Sequence, residues 1–405
     1  MTMSEIFSSL PEMTGFALVG WGTVLMWVIA FVLLYLGIFK QYEPLLLVPI
    51  GFGVLLANLP GAGLGIVDTA LVMNPDGSYM NLLDIANEHG IMNLLYYALI
   101  KTGLLPPIIF MGVGVLTDFG PMLRNLRLAF FGGAAQVGIF AVLIAAVIMG
   151  FSLPEAASLG IIGGADGPTA IYTTIKLAPH LLGPIAIAAY SYMALVPVII
   201  PAVAKLLMTE SEFKIHMKKM DRQYPPKHEI KKLRLVKIIF PIVLGLSVSV
   251  IVPSAAPLLG MLLFGNLIKE IGTNTSRLAE AASGPIMNTA TIFLGLTVGA
   301  TMTSEVFLNP QTLGIIVGGF LAFAVSVASG IVGVKIYNNF SKKKINPLVG
   351  ATGLSAVPMA SRVANEMALK YDKSNHILQY CMSSNVSGVI GSAVAAGILI
   401  SFLGG

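Results

Sequence analysis

The chain has 405 residues, of which 56% are hydrophobic and only 11% are charged, and its mean hydropathy is +0.85. About 25% of the residues of an ordinary soluble protein are charged, so this composition excludes that class and predicts a polytopic membrane protein. A spanning helix with its turn uses roughly 25 to 40 residues, so the length allows about ten to twelve membrane-embedded segments. Little chain remains for a soluble domain, and any catalytic chemistry is expected in the membrane or on a partner subunit.

The distribution of basic residues orients the predicted helices, the first of which runs from about Phe16 to Phe39. Ten basic residues against four acidic ones make 205–237 the long polar loop, and the positive-inside rule places it in the cytoplasm. The stretch 74–90 has acidic residues but no lysine or arginine, so 1–90 is expected to form transmembrane helices and an external segment. Other basic residues predicted to face the cytoplasm are Arg124, Arg127, Lys335, Lys342, Lys343 and Lys344.

Two apolar stretches are predicted to be re-entrant hairpins, because they enter and leave the membrane by the same face. Residues 153–175 must return to the outside, since the next helix, about Leu181 to Ala204, has to end at the cytoplasmic loop. Residues 346–363 must return to the inside, since the last helix, His376 to Leu403, ends outside. The helices predicted between the loop and the second hairpin are Ile238 to Val252, Ala256 to Ile268, Gly284 to Phe307 and Thr312 to Val334.

The chain also resembles itself at a nearly constant offset. Gly164–Ala170 aligns with Gly350–Ala356 at an offset of 186, with four identities in seven positions and one Thr/Ser match. The pair at Gly132 aligns with the pair at Gly318 at the same offset, and Ile109–Gly112 resembles Ile292–Gly295 at 183. These matches predict one repeat in 91–204 and a second in 238–405. Composition alone could also produce such matches in an apolar, glycine-rich chain.

Repeats placed in opposite orientations are the building plan of many secondary transporters, whose sites lie where interrupted segments of the two halves meet. The predicted fold is therefore an all-α polytopic membrane protein with two inverted-topology repeats, opposed hairpins and extra N-terminal helices. Backbone groups freed at membrane depth are tolerated only where they line a cavity or are buried in protein. Carbonyls at the hairpin tips are candidate cation ligands, and the helix-breaking residues there are Gly160, Gly163, Gly164, Gly167, Pro168, Pro347, Gly350, Gly353 and Pro358.

Asp166 is the one acidic residue between Ala156 and Thr209, and the topology places it at the tip of the first hairpin. A carboxylate inside the membrane costs at least about 2.5 to 3.5 kcal/mol on insertion scales, so it predicts a functional site, here a cation or proton ligand. The alternative is a structural ion pair with Lys176 or Arg362.

Neutral oxygens are available to complete a cation site around Asp166. The position equivalent to Asp166 in the second repeat is Thr352, so only one negative charge is supplied. A site for Ca²⁺ or Mg²⁺ would normally need more carboxylates, which favours Na⁺, and the histidines are scattered without the spacing of a transition-metal site. Each candidate taken alone is more often an interhelical hydrogen bond than a ligand; the candidates are Thr169, Ser355, Asn346, Asn288 and Asn385.

Three further side chains are candidates for handling substrate or protons. Arg362, at the cytoplasmic end of the second hairpin, could hold a carboxylate by a bidentate contact or snorkel to lipid headgroups. Tyr190 and Tyr192 are candidates for a proton relay, although interfacial tyrosines are common. The sequence His216-Met-Lys-Lys-Met220 is interpreted as part of a solvated basic surface for an acidic partner.

Two segments resemble the hallmark motifs of a known family. They are Gly160-Ile-Ile-Gly-Gly-Ala-Asp-Gly-Pro-Thr169 and Asn346-Pro-Leu-Val-Gly-Ala-Thr-Gly-Leu-Ser-Ala-Val-Pro-Met-Ala-Ser-Arg362. They closely resemble the β subunits of biotin-dependent, sodium-pumping decarboxylases that act on oxaloacetate, methylmalonyl-CoA, glutaconyl-CoA or malonate. This resemblance implies an enzyme that decarboxylates carboxybiotin and couples the reaction to Na⁺ export, with consumption of a proton.

The resemblance also implies roles for individual residues. Asp166, Tyr192, Ser355 and Arg362 would serve catalysis, and Arg362 would also contact carboxybiotin. The Na⁺ ligands would be Asp166, Thr169, Asn346, Gly350, Ser355 and Asn385.

The partners implied are a carboxyltransferase α subunit, a biotin carrier protein that supplies carboxybiotin, and a small single-span γ subunit. The resemblance further implies an elevator-type homotrimer in the inner membrane of a prokaryote, and no nucleic acid. A Na⁺-coupled carboxylate symporter without enzymatic activity is the competing class, because hairpins, one carboxylate and Arg362 would serve it equally well. An ion channel fits less well, since opposed hairpins suit alternating access.

Overall fold

The computed structural model describes residues 14–41, 43–74, 78–225, 232–355 and 359–404. This described part of the chain is helical, and its one β feature is an isolated bridge between Met73 and Tyr79. The prediction of an all-α fold is therefore confirmed. Pro358, which was assigned to the second hairpin tip, lies outside the described residues.

The helices follow in chain order and are numbered here. They are α1 Trp21–Ile38, α2 Pro44–Ala57, α3 Leu82–Leu95, α4 Leu105–Leu116, α5 Gly120–Arg124, α6 Leu126–Ala135, α7 Val137–Ile148, α8 Leu153–Gly160, α9 Gly167–Leu177, α10 Leu182–Ala194, α11 Val196–Leu207, α12 Glu210–Phe213, α13 Met217–Gln223, α14 Leu233–Ile251, α15 Ala256–Ile271, α16 Ser276–Ala281, α17 Met287–Ala300, α18 Ser304–Phe307, α19 Pro310–Phe340, α20 Leu348–Ala351, α21 Met359–Tyr371 and α22 Leu378–Leu403.

Seven helical segments of the described chain are long and apolar enough to cross a membrane, and two bent helix pairs raise the number to nine. The multi-pass membrane class predicted from composition is thus confirmed. The bent pairs join α3 to α4 and α10 to α11. The seven single segments are Trp21–Ile38, Leu126–Ile148, Leu233–Ile251, Pro253–Ile271, Thr273–Ala300, Thr312–Phe340 and Leu378–Leu403.

Several predicted helix boundaries were wrong. The helix predicted from Leu181 to Ala204 is broken at Leu195, and its halves α10 and α11 are bent by 68°. Pro197 explains the break, because its ring clashes with the preceding turn and it has no amide to donate. The second hairpin's outgoing helix, α21, continues to Tyr371 instead of ending at 363. The helix predicted from Gly284 to Phe307 ends at Ala300.

The chain forms two compact units. One comprises the described part of Met1–Leu105 together with Asn288–Ile315, and the other comprises Pro106–Met287 and Ile316–Gly405. Both hairpins and the whole of α22 belong to the second unit. The division of the sequence into an N-terminal region, two repeats and a loop stays a prediction.

The first hairpin consists of α8, a 3₁₀ turn at Ile161–Gly164 and α9. A capping box between Ser152 and Glu155 begins α8, and it satisfies amide groups that the first helical turn leaves without partners. In the second hairpin α20 is a single short turn and α21 is the returning helix. A membrane-spanning helix needs about 20 residues, and each helix of the two hairpins is shorter than that. These lengths are compatible with the predicted re-entrant hairpins.

A buried apolar cluster holds the first hairpin and α22 in the second unit. It joins side chains of α4, α5, α9, α15 and α22, together with Phe119. In a soluble protein, burial of such a Leu, Phe or Met side chain stabilises the fold by roughly 1.5 to 3 kcal/mol through the hydrophobic effect. Between helices in lipid this effect is absent, and close van der Waals packing stabilises the cluster instead. The members are Phe110, Phe119, Met122, Leu123, Tyr172, Leu258, Leu259, Leu262, Leu263, Val386, Val389 and Ala393.

Glycines of the two aligned pairs allow close helix packing in the second unit. A Cβ on Gly132 would lie 2.6 Å from the backbone oxygen of Ser384 in α22, the helix after the second hairpin. A Cβ on Gly319 would lie 2.6 Å from the ring of Tyr192 in α10, the helix after the first hairpin. These two glycines are one position out of register at the offset of 186, so their contacts do not test the inverted repeat, which stays a prediction.

The basic loop 205–237, which is predicted to be cytoplasmic and is called the cytoplasmic segment below, is not a solvated linker throughout its described part. Lys205 lies in α11 and Lys237 in α14, and between them α12 and α13 pack on the second hairpin. Met217 is buried, and its sulfur accepts a hydrogen bond from the Asn346 amide. The interpretation of His216–Met220 as part of a solvated basic surface fits the exposed Lys218 and Lys219 and is wrong for Met217, which is an apolar anchor.

Candidate functional site

The Asp166 carboxylate lies buried between the tips of the two hairpins. Its Oδ2 accepts hydrogen bonds from Ser355 Oγ at 2.8 Å and from Ser392 Oγ at 3.0 Å. Its Oδ1 accepts from the Thr169 amide at 3.2 Å, so Asp166 is the N-cap of α9. The positive end of the α9 dipole favours a negative charge at this place.

The backbone at the tips is shaped to bring Asp166 and Ser355 together. Ala165 adopts a left-handed conformation with φ of 53° and ψ of 42°, which costs a residue with a Cβ roughly 1–2 kcal/mol. The Ser355 amide donates to the Gly164 oxygen at 2.9 Å. Strain of this kind persists only where surrounding contacts enforce it, and here the second hairpin supplies one of those contacts.

Of the other predicted ligands, Thr169 faces the carboxylate and Asn385 bonds the backbone next to Ser355. Thr169 is fully buried and its side chain faces Asp166. Asn385 is also fully buried; its amide nitrogen donates to the Leu354 oxygen at 2.6 Å, and its Oδ1 has no hydrogen-bond partner. A buried acceptor without a partner is costly and calls for an explanation such as a bound ion.

The two candidate tyrosines have different surroundings. Tyr190 is buried against Gly167, where a Cβ would lie 2.3 Å from the tyrosine Cε1, and its hydroxyl has no hydrogen-bond partner. Its electrostatic neighbour is Asp166. Tyr192 packs instead against Gly319 and Phe320 of α19. Of the two, Tyr190 lies at the carboxylate.

Other predicted site residues lie elsewhere in the second hairpin. The side-chain amide of Asn346 donates to the oxygens of Phe213 and Ile215 at 3.0 and 3.2 Å, so it fastens the hairpin base to the cytoplasmic segment. A Cβ on Gly350 would lie 2.0 Å from the Gly330 oxygen, so this glycine permits close packing on α19. Their role as Na⁺ ligands stays a prediction.

Among the described residues Asp166 has no cationic partner. Neither Lys176 nor Arg362 makes an ion pair with it, and both are exposed, so neither ion pair weighed as an alternative is formed. Arg362 lies in α21, where its guanidinium is open to an anionic substrate or headgroup. Asn288 is exposed in the first unit. Thr352, the repeat equivalent of Asp166, donates to the oxygens of Val349 and Cys381.

The sequence interpretation missed Ser392 and Gln136. Ser392 is one of several serines in α22, and nothing in the sequence distinguishes it from the others. Gln136 carried a signal, because it is the one uncharged polar side chain in the apolar run 126–148. Both are buried.

The site offers one carboxylate and several neutral oxygens. Within the described residues no three His, Cys, Asp or Glu side chains come together as a metal centre. Hard monovalent cations suit oxygen ligands with a low total charge, whereas calcium sites use several carboxylates. The arrangement suits a Na⁺ ion that is transported and is not a resident cofactor.

A separate polar cavity of about 260 Å³ lies among residues predicted to face the cytoplasm, including Arg124 and Asp221. Lys237 at its wall pairs with Asp118 at 2.9 Å and with Glu270 at 2.8 Å. Burial raises the pKa of Asp118, but the hydrogen bond and charge of Lys237 outweigh it and leave the pKa below its usual value. This ion-pair network joins the end of α4 to α14 and α15.

Apolar spans and a buried carboxylate at the junction of two hairpins define a multi-pass membrane protein of the ion-transporting class. The family model described as the Na⁺-transporting oxaloacetate decarboxylase beta subunit matches residues 22–403. The chain belongs to this family of decarboxylase β subunits. It is therefore the membrane subunit of a decarboxylase sodium pump, located in the inner membrane.

Individual relatives cover nearly the full length. The chain is 47% identical to the oxaloacetate decarboxylase beta chain of Haemophilus ducreyi, over 94% of this chain and 95% of the relative. It is 48% identical to the methylmalonyl-CoA decarboxylase subunit beta of Propionigenium modestum, over 96% and 97%. It is 42% identical to the glutaconyl-CoA decarboxylase subunit beta of Acidaminococcus fermentans, over 98% of both chains. The resemblance deduced from the two motifs is confirmed.

Proposed function

We propose that this subunit decarboxylates carboxybiotin at the hairpin junction and exports Na⁺ through Asp166. The observation that carries the proposal is the contact of one buried carboxylate with both halves of the junction: Ser355 comes from the second hairpin and Ser392 from α22. An ion that binds Asp166 must therefore either displace the Ser355 and Ser392 hydroxyls from the carboxylate or bind their oxygens as additional ligands. Cation binding and hairpin packing are thereby linked.

The chemistry requires a proton. Carboxybiotin and one proton yield biotin and CO₂: the bond between the biotin nitrogen and the carboxyl carbon breaks, its electron pair stays on nitrogen, and the proton ends on that nitrogen. In this proposal Asp166 holds Na⁺ in one state and a proton in the other. Export of one charge against about 100 mV costs about 2.3 kcal/mol, and decarboxylation supplies the driving force.

Arg362 is the residue we assign to the carboxylate of the incoming carboxybiotin, because Arg362 is exposed and forms no ion pair with another described residue. Tyr192 and Ser355 complete the proposed catalytic set, with Tyr190 added because it lies at Asp166. The Na⁺ ligands in this proposal are Asp166, Thr169, Asn346, Gly350, Ser355 and Asn385.

Charge on the cytoplasmic segment supports docking of partner subunits. Its acidic residues Glu212 and Asp221 are paired with Lys335 and Lys343 from outside the segment, at 3.3 and 2.7 Å. The basic residues left exposed there give a surface for an acidic partner; they include Lys205, Lys218, Lys219 and Arg222. We propose a carboxyltransferase α subunit, a biotin carrier protein and a single-span γ subunit as partners, with three copies of this chain.

The acyl substrate is chosen elsewhere in this scheme. Relatives of similar identity are named for oxaloacetate, methylmalonyl-CoA and glutaconyl-CoA. A membrane subunit that meets only carboxybiotin needs no contact with these acids, so the carboxyltransferase selects among them.

The test is reconstitution of the complex in proteoliposomes with each candidate acid, followed by measurement of CO₂ release and ²²Na⁺ uptake. Asp166→Asn is expected to lose both activities by at least about a hundredfold. Glu155→Gln is the matched control, because Glu155 lies in the same hairpin at its outer base. Wild-type activities in Asp166→Asn would exclude the proposed role. Capture on avidin separates the competing class, since a symporter would transport solute without any biotinylated partner.

A further inference from the structure

Gln136 lies at the junction of α6 and α7 and is about nine-tenths buried, with 7% exposure. Its side-chain nitrogen faces three backbone oxygens, those of Gly132, Gly353 and Gly388, at 3.2, 3.4 and 3.3 Å. These acceptors fix the orientation of the amide, because the opposite orientation would place its oxygen against three carbonyl oxygens. The carbonyl Oε1 is thereby held as an acceptor, and it has no hydrogen-bond partner.

Asn385 repeats this arrangement. Its nitrogen is bound to the Leu354 oxygen and its Oδ1 is buried without a partner. Both amides thus use their donors on backbone carbonyls of the second hairpin, Gly353 and Leu354, and leave their oxygens free. Each of these two buried amide oxygens lacks a hydrogen-bond partner among the described residues. Such an acceptor needs either a hydrogen-bond donor or a cation.

The Gln136 oxygen is close to the Asp166 site. A Cβ placed on Gly164 would lie 3.7 Å from Gln136 Oε1 and 3.2 Å from Ser392 Cβ. Ser392 in turn donates to Asp166, and the Gly164 oxygen accepts from the Ser355 amide. The Gln136 amide oxygen and Ser392, which bonds Asp166, therefore both lie within 4 Å of the position that a side chain on Gly164 would take.

We propose that Gln136 supplies a neutral oxygen ligand to the transported cation and sets the site's preference for a monovalent ion; this rests on the proposed Na⁺ transport through Asp166. A neutral amide adds an oxygen without adding charge, so the site keeps a single formal negative charge. The amide nitrogen is shared by the oxygens of Gly132, Gly353 and Gly388, so α6, the second hairpin and α22 together place the ligand. Departure of the second hairpin removes one of these three contacts and weakens cation binding.

The experiment measures ²²Na⁺ binding to the purified complex in detergent, so the readout does not depend on decarboxylation. Gln136→Met, which removes the oxygen at similar volume, is expected to weaken Na⁺ binding at least about tenfold. Gln136→Glu adds a second carboxylate, so Ca²⁺ is expected to displace ²²Na⁺ at a concentration at least tenfold lower than in wild type.

Asn266→Leu is the matched control. Asn266 is buried, its nitrogen donates to the oxygens of Gly114 and Thr117, and its Oδ1 also has no partner, but it lies in α15 among other neighbours. This variant is expected to bind ²²Na⁺ within about twofold of wild type. If Gln136→Met does not fold, the Ca²⁺ competition of Gln136→Glu decides. Wild-type Na⁺ affinity in Gln136→Met, or unchanged Ca²⁺ competition in Gln136→Glu, would overturn the assignment.

The same binding measurements distinguish a failure of the Gln136 assignment from a failure of the proposed function. If wild-type protein binds ²²Na⁺ and Asp166→Asn binds it equally well, Asp166 is not the Na⁺ ligand and the proposed function fails. If Asp166→Asn loses binding and the Gln136 variants do not, only the present inference fails.

Discussion

The hydroxyl of Ser355 in the second hairpin donates a hydrogen bond of 2.8 Å to the carboxylate of Asp166 in the first, across 189 positions of sequence. A hydrogen bond to a charged group contributes about 1.5–3 kcal/mol, so this contact can decide whether the two tips stay together. Any ligand of Asp166 therefore acts on the packing of both hairpins.

Removal of a hydroxyl at Asp166 should weaken cation binding. For Ser392→Ala we expect the Na⁺ concentration at half-maximal binding to rise at least about tenfold, since tenfold corresponds to about 1.4 kcal/mol. Ser387→Ala is the control, because Ser387 lies in the same helix and donates to the oxygens of Ala129 and Ser384 instead. An equal change in both variants would mean that the effect comes from α22 as a whole.

Gly350 should not tolerate a side chain. A Cβ there would lie 2.0 Å from the backbone oxygen of Gly330, and backbone cannot move aside as a flexible side chain can. We expect Gly350→Ala to destabilise the protein by about 1–3 kcal/mol or to prevent folding, as measured by thermal unfolding in detergent. In the control Gly133→Ala the new methyl group meets nothing within 4 Å, so comparable loss there would contradict this explanation.

Asn346 should hold the cytoplasmic segment on the second hairpin. Asn346→Leu removes the bonds to the oxygens of Phe213 and Ile215, so the segment should open more often. We expect proteinase K to cleave within 210–223 at least about five times faster. Lys218→Ala, at an exposed position of the same segment, should be cleaved at the wild-type rate. Unchanged cleavage of Asn346→Leu with weakened ²²Na⁺ binding would favour its assignment as a Na⁺ ligand.

The ion pair of Asp118 with Lys237 should make stability depend on pH. The folded-state pKa of Asp118 is lowered, since Lys237 outweighs the effect of burial, so its contribution is present above the unfolded pKa of about 3.9. It is lost as the pH falls through the folded value. We expect Asp118→Asn to lower the Tm at pH 7, and we expect this difference from wild type to shrink as the pH falls below about 3.9. A constant Tm difference across this range would exclude protonation of Asp118 as the cause.

The sequence by itself determined the class of the protein and its all-helical, multi-pass character, while the side of the membrane that each loop faces stays a prediction. Hydropathy predicts the spans because, in lipid, a backbone must satisfy its own hydrogen bonds, as a helix does. The distribution of lysine and arginine predicts which loops face the cytoplasm. The scarcity of charge made Asp166 stand out, because an intramembrane carboxylate is costly. The two hairpin motifs were specific enough for the family to be recognised.

Only the tertiary structure placed Ser392 at Asp166 and the Gln136 amide oxygen near the neighbouring Gly164. Ser392 and Gln136 lie 226 and 30 positions away in the chain, and serine or glutamine in an apolar helix has no pattern that indicates its partner. Asn346 is the first residue of the second family motif, yet its side-chain nitrogen donates hydrogen bonds to the backbone oxygens of Phe213 and Ile215 in the cytoplasmic segment. Periodicity reports which face of a helix is apolar, whereas contacts between hairpins depend on close approach of glycine backbones, which one sequence does not reveal.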